Sequence, residues 1–258
     1  MQTNEPVSIG VQINFLCYSV SIPMSLYVMS DIHGLYDRYM RMLERIHLSE
    51  DDTLFILGDV IDRGKDGIRI LLDMMERPNV VPFLGNHEWM MLAYLEGIET
   101  PYSWLSDYSG GGVTLNDFSR LDERTQNMMY EYLRYETMLV KMLEVDGEEI
   151  MLSHAGFTYE REDWHTGEVA DLNACCDLVF GTGPFSIRNL SSLPPQSPLT
   201  CMVGHLETGR IPGGTPRHIF ERTYSNGITL VDIDTGCEYG EDGVLTCLCL
   251  DRKQIYRL

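Results

Sequence analysis

Apolar residues fall into two rhythms that alternate along this chain. Three short apolar runs, at 25–30, 53–57 and 80–84, are rich in β-branched and aromatic residues and predict buried strands. Between and after them the period lengthens. Leu35, Tyr39, Met42, Leu43 and Ile46 stand at helical spacing, so 35–48 reads as a helix. Residues 67–75 read as a second helix, stopped near Pro78, and a Met-rich helix runs through Tyr94. Strand, polar loop and helix thus recur three times, which predicts a layered α/β sheet with its site along one edge.

The pattern continues less regularly. Residues 104–115, with Gly110, Gly111 and Gly112, read as an irregular loop, and 123–135 as a helix. Two strands, 137–145 and 149–153, meet at Asp146-Gly147, a strong hairpin signal. Further strands are expected at 199–203, 228–233 and 244–250, with 253–257 closing the sheet. Residues 157–199 show no readable period; the Trp164 segment inside them could cover a cleft as a lid. Residues 1–23 precede the first clear strand and read as a loosely ordered extension, leaving 24–258 as one catalytic domain.

Composition narrows the function classes. A formal charge of −20, from 39 acids and 19 bases, argues against nucleic acid or an anionic membrane as partner. It leaves room for a single phosphate entering a metal-bearing cleft. Seven cysteines without a regular framework suit reduced, buried thiols, hence a cytoplasmic setting. The Met pairs at 74–75 and 90–91 read as core filler.

The chemistry sits where the strands end. Gly58 to Gly64 reads Gly-Asp-Val-Ile-Asp-Arg-Gly, placing two carboxylates and an arginine within five residues of a strand's carboxyl end. Asp59 can ligate a cation, and Arg63 offers a planar fork to phosphate oxygens. Asp31 and His33 stand two apart after the first strand, and on an extended backbone would share a face. Asn86, His154 and His205 likewise follow apolar runs. One such histidine is more often structural; this set points to metal. Mixed oxygen and nitrogen donors suit Mn²⁺, with Fe or Zn²⁺ as alternatives. Six donors fit two ions roughly 3.5–4 Å apart that share one carboxylate, for which Asp59 is the natural bridge.

The motifs Asp31-Ile-His-Gly, Gly58-Asp-Val-Ile-Asp-Arg-Gly, Gly85-Asn-His-Glu, Ser153-His-Ala-Gly, Gly204-His205 and Asp234-Thr-Gly-Cys-Glu-Tyr-Gly follow one another in order. Together they resemble the calcineurin-like metallophosphoesterase superfamily, in its bacterial phosphoprotein phosphatase branch, with kinship to symmetrical diadenosine tetraphosphatases. The resemblance implies a four-layer α/β fold, a mixed β-sandwich flanked by helices. It implies that Asp31, His33 and Asp59 hold one metal, and Asp59, Asn86, His154 and His205 the other. It also implies that His87 is a general acid paired with Asp62, that Arg63 binds the phosphoryl oxygens, and that a hydroxide bridging the metals is the nucleophile. Glu88 reads as a supporting charge.

Two departures stand out. Leu84 occupies a place where many relatives carry arginine, and 178–182 lacks the second phosphate-binding arginine. Arg188 is the nearest substitute, with a solvated surface role as its alternative. Leu206-Glu207 follows His205 where the tetraphosphatases have Thr-Pro. The expected function is metal-dependent hydrolysis of phosphate monoesters on phosphoserine or phosphothreonine proteins. The alternatives are symmetrical cleavage of a dinucleoside polyphosphate and, from another class, silent binding of phosphorylated partners.

Overall fold

The computed structural model describes residues 24–99, 103–158, 161–182, 186–193 and 198–258. The predicted extension at 1–23 and the side chain of Arg188 lie outside the described residues.

The three strand–loop–helix units fold as their periodicity predicts. Strands β1 (Leu26–Met29), β2 (Thr53–Ile56) and β3 (Val80–Pro82) alternate with helices α1 (Tyr36–Ile46), α2 (Gly67–Met75) and α3 (Asn86–Glu96). The strands run parallel, and β10 (Thr246–Cys249) and β11 (Gln254–Arg257) extend the sheet antiparallel in the order β11-β10-β1-β2-β3. A second sheet runs β6-β4-β5-β7-β9-β8. Its members are β4 (Met138–Val145), β5 (Glu148–Ser153), β6 (Trp164–His165), β7 (Leu199–Val203), β8 (Phe220–Thr223) and β9 (Ile228–Asp232). Strands β5, β7 and β9 are parallel neighbours. The β4–β5 hairpin turns through Asp146 and Gly147 at φ 53° and 79°, the left-handed pair that a two-residue turn of this kind requires.

Period two decides which face meets which layer. Val28, Phe55 and Phe83 from the first sheet share a buried cluster with Met138, Ile150, Leu152, Met202 and Val231 from the second. The alternate residues Tyr27, Met29, Leu54 and Ile56 turn outward, onto Tyr39, Met42, Ile70 and Met91 of the helices. The sheets therefore pack face to face with helices outside, as the four-layer expectation holds. Met74, Met90 and Met91 are buried in that packing.

Three expectations need correction. Residues 104–115 are not simply a loop: α4 (Gly111–Phe118) starts inside them. A side chain at Gly111 would overlap the Trp104 indole, so tertiary contact sets this glycine and overrides its poor helix propensity. The Trp164 segment is no lid. It forms the edge strand β6, pairing with Val140, and does not line the cleft. Residues 123–135 split into α5 (Glu123–Glu131) and a π-helical turn at Tyr132–Glu136. Strand β8 was not foreseen, because one buried residue followed by three exposed ones leaves no alternation to read.

Candidate metal centre

Every predicted ligand leaves the carboxyl end of a parallel strand. Asp31 and His33 follow β1, Asp59 follows β2, Asn86 follows β3, His154 follows β5 and His205 follows β7. The sandwich brings these ends together from both sheets. The loops after β1 and β2 carry on the parallel ladder, with Asp31 N donating to Gly58 O (3.2 Å), His33 N to Asp59 O (2.9 Å) and Gly34 N to Val60 O (2.8 Å).

The backbone here is not extended, as the Asp31–His33 argument assumed. Asp31, His33, Asp59, Asp62, Arg63 and His205 all have φ between 47° and 73°. The two side chains meet through left-handed turns, a conformation that costs of order 1–3 kcal/mol per non-glycine residue and collects at functional sites. Neighbouring glycines make room for it. A side chain on Gly85 would overlap the Asp59 carboxylate, and one on Gly204 the Asp31 carboxylate.

Asp59 is the hub. His33 Nε2 lies 3.7 Å from its Oδ2, and His154 Nε2 lies 3.5 Å from its Oδ1. Two sets of donors are close enough to share an ion: His33, Asp59 and His87, and Asp59, His154 and His205. Asn86 Oδ1 lies 3.0 Å from His154 Nε2 and 2.8 Å from His205 Nδ1, on the side of the second set. Asp31 belongs to neither set; its carboxylate takes the His205 N–H at 3.0 Å and the Ser30 hydroxyl.

The donors fit divalent cations chemically. His33 Nδ1–H donates to Ile61 O (3.1 Å) and His154 Nδ1–H to Leu57 O (2.5 Å), which leaves each Nε2 lone pair facing the centre. Burial holds His33 well below its usual pKa, lowers His154, and takes His205 down to about 3, which favours the neutral rings that ligate metals. Burial, then the charges of Asp234 and Asp59, raises the Asp31 carboxyl well above its ordinary range. Asp31 in particular is crowded by carboxylates, and a metal ion would supply the positive charge that offsets them.

Beside the hub, His87 Nδ1 donates to Asp62 Oδ2 at 2.6 Å. Burial alone would lower the His87 pKa; the Asp59 charge and the Asp62 hydrogen bond outweigh it and raise the ring. Asp62 is itself held from both sides, by Trp104 Nε1–H on Oδ2 (2.7 Å) and the Thr114 hydroxyl on Oδ1 (2.6 Å). Glu88 accepts four backbone N–H bonds, from Asp59 (2.8 Å), Val60 (2.9 Å), Ile61 (3.2 Å) and Gly85 (3.1 Å). It ties the Asp59 loop to the start of α3, as its reading as a supporting charge expects.

Arg63 NH2 stands 3.3 Å from His87 Nε2, and NH1 stands 3.0 Å from His33 Nε2 while paired to Glu238. Glu238 Oε2 also lies 3.1 Å from His33 Nε2. Glu238, Asp234, Trp104 and Thr114 were not foreseen as site residues. The motif at 234–240 carried a signal for the first two, and the stretch at 104–115 held the others without any sign of their target. The cleft over this centre has a volume of about 440 Å³ and includes Met90, Phe180, Arg210 and Tyr239 on its walls.

Buried histidines and aspartates thus gather around a shared carboxylate, with an arginine fork at the cleft, an arrangement suited to holding cations beside a phosphate. The chain belongs to the calcineurin-like phosphoesterase family, whose model matches residues 24–181. It is 30% identical over 151 residues to a symmetrical bis(5'-nucleosyl)-tetraphosphatase of Delftia acidovorans, covering 58% of this chain and 49% of the relative. A second such enzyme, from Erwinia tasmaniensis, is 30% identical over 64% of this chain and 55% of its own length. The chain thus spans about half the length of the curated relatives it matches. Among solved structures, a protein proposed to be a diadenosine tetraphosphatase superposes with a TM-score of 0.56 at 16% identity, over 92% of this chain and 94% of its own. A protein serine/threonine phosphatase from Saccharomyces cerevisiae superposes at 0.53 and 14% identity, over 91% and 79%. At those identities the likeness is one of fold. No helix among the described residues is long and apolar enough to cross a membrane.

Proposed function

We propose that the protein hydrolyses dinucleoside polyphosphates symmetrically, using two divalent ions, with Mn²⁺ favoured over Fe or Zn²⁺. The observation that carries the hydrolytic reading is the convergence of His33 on one side of Asp59 and His154 and His205 on the other, beside a His87–Asp62 pair. The relatives tip the substrate toward the dinucleotide and away from phosphoserine or phosphothreonine. His33 and Asp59 would hold one ion, joined by Asp31 if its carboxylate turned from the Ser30 hydroxyl and the His205 N–H, and Asp59, Asn86, His154 and His205 would hold the other. When bound, the ions would neutralise phosphate charge and bring a water's pKa toward about 7.

The chain's own residues do the rest. Arg63 binds and orients the phosphoryl oxygens through its planar fork. His87 holds a proton at Nε2 for the leaving oxygen, while Asp62 fixes the ring through Nδ1 and favours the charged form. Glu88 keeps the loop that bears Asp59 rigid. This His87–Asp62 pair favours a second reading, a phosphoserine or phosphothreonine phosphatase. A serine alkoxide is a poor leaving group and needs a proton far more than a nucleoside diphosphate does. A silent binder of phosphorylated partners would have no use for such a pair. Among the described residues the cysteines are free and, Cys176 apart, buried, which fits a cytoplasmic setting for either activity.

The test is product analysis. With Mn²⁺, diadenosine tetraphosphate is expected to give two ADP, and EDTA to stop the reaction. Release of phosphate from phosphopeptides, with the dinucleotide left intact, would overturn the proposal in favour of the second reading.

A further inference from the structure

The cleft does not end at the metal centre. Leu206 and Arg210 line it, and the same two residues line a second cavity of about 460 Å³. The second cavity is mostly apolar, with Ile187, Ile211, Pro212 and Leu230 on its walls, beside Tyr224 and the exposed Arg222. Arg210 thus stands at the junction of the two spaces. Its NH2 donates to the Tyr239 hydroxyl (2.8 Å), and Nε lies 3.7 Å from Glu207 Oε2. The Tyr108 hydroxyl also takes a hydrogen bond from it, yet its side chain stays 57% exposed, so part of the guanidinium faces the open cleft. Arg222 NH2 donates to Pro212 O (2.7 Å), which fixes the guanidinium beside the cavity. On a chain of −20, the lining of this cavity carries two arginines and no acid, although Glu207 stands beside Arg210 at its mouth.

We propose that this second cavity is a nucleoside subsite, and that Arg210 grips the phosphate next to the one cut. The inference rests on the dinucleotide reading above and adds the residues that would select such a substrate. Symmetrical cleavage of a tetraphosphate leaves one further phosphate between the phosphorus at the cut bond and the nucleoside on its side. A ligand with its reacting phosphorus by Arg63 therefore needs, in order, a cation and then an apolar, partly aromatic space for a base and ribose. Arg210 and the cavity beyond it supply these in that order, and the pocket size is ordinary for a small-molecule site. A guanidinium suits the phosphate, and the Tyr224 ring and aliphatic walls suit a flat base. Arg210 also answers the missing second arginine: the cation comes from the segment after His205, not from 178–182. A phosphoserine peptide presents no second phosphate and would draw little from this arrangement.

The experiment compares diadenosine tetraphosphate with p-nitrophenyl phosphate in Arg210→Ala, Arg210→Lys and Arg222→Glu, all with Mn²⁺. Arg210→Ala is expected to raise KM for the dinucleotide about ten- to a hundredfold, the loss typical of one charge-assisted contact. The loss on p-nitrophenyl phosphate should be at least fivefold smaller, and Arg210→Lys should recover part of it. Calorimetry should show ADP binding weakened in both Arg210→Ala and Arg222→Glu. If wild-type protein cleaves the dinucleotide and the variants leave its KM and ADP affinity unchanged, the subsite falls alone. Equal losses on both substrates would also overturn it. If wild-type protein cleaves no dinucleotide, the functional reading falls and the subsite with it.

Discussion

Replacing Glu88 by glutamine tests how the Asp59 loop is held. The carboxylate is buried, and its two oxygens divide four backbone donors evenly. Oε1 takes Val60 and Ile61, and Oε2 takes Asp59 and Gly85. A glutamine keeps one oxygen. Whichever way the amide sits, its NH2 faces two N–H groups, so two buried donors go unsatisfied. At about 1–3 kcal/mol each, the loss is about 2–6 kcal/mol. For a chain of this size each kcal/mol lowers Tm by about 2–4 °C, so a fall of about 10 °C is expected. The loosened loop carries the shared metal carboxylate, so Mn²⁺ affinity should fall about 10–100-fold as well. Thermal unfolding of metal-free protein and calorimetric titration of Mn²⁺ read the two effects separately. A Tm within 1 °C of wild type, by the usual small scale of surface changes, together with unchanged affinity, would refute the reasoning.

Other substitutions probe the neighbouring contacts. His87→Asn should cut turnover of a slow phosphoserine peptide by about 10²–10⁴, but that of p-nitrophenyl phosphate far less, because nitrophenolate needs little protonation; equal losses would remove His87 from the acid role. Glu238→Gln removes the charge that pairs with Arg63, and KM for a phosphomonoester should fall; an unchanged KM would mean the carboxylate does not compete with substrate for that fork. Gly85→Ala forces a methyl against the Asp59 carboxylate and the Glu88 side chain, an overpacking cost of about 1–3 kcal/mol, and should weaken metal binding together with stability. Normal Mn²⁺ affinity in a folded Gly85→Ala protein would show that the loop yields without moving the donor.

Much of this arrangement was legible before any coordinates. The donors sit in short motifs directly after apolar strands, and parallel strands put such motifs along one sheet edge. Chain order therefore carried Asp31, Asp59, Asn86, His154 and His205 into one place. The supports were less visible because they act over distance. Thr114 and Trp104 reach Asp62 across 52 and 42 residues, from a stretch whose glycines read as loop. The left-handed backbone at His33, Arg63 and His205 was also hidden, since these residue types do not announce positive φ as glycine does. Arg210 comes five residues after His205 in a turn with no apolar period, so nothing tied it to the cleft. Strand β6 and the short helical turns of 166–179 depend on tertiary partners, such as the Arg134 guanidinium that donates to Thr166 O and Val169 O.

The account rests on two cations meeting at Asp59. Calorimetric titration of Mn²⁺ into EDTA-stripped protein, in parallel with Asp59→Asn, tests that directly. Wild-type protein should take up two equivalents, and the folded Asp59→Asn variant should lose tight binding of both. One equivalent or none in the wild type, or two retained in the variant, would contradict the shared centre.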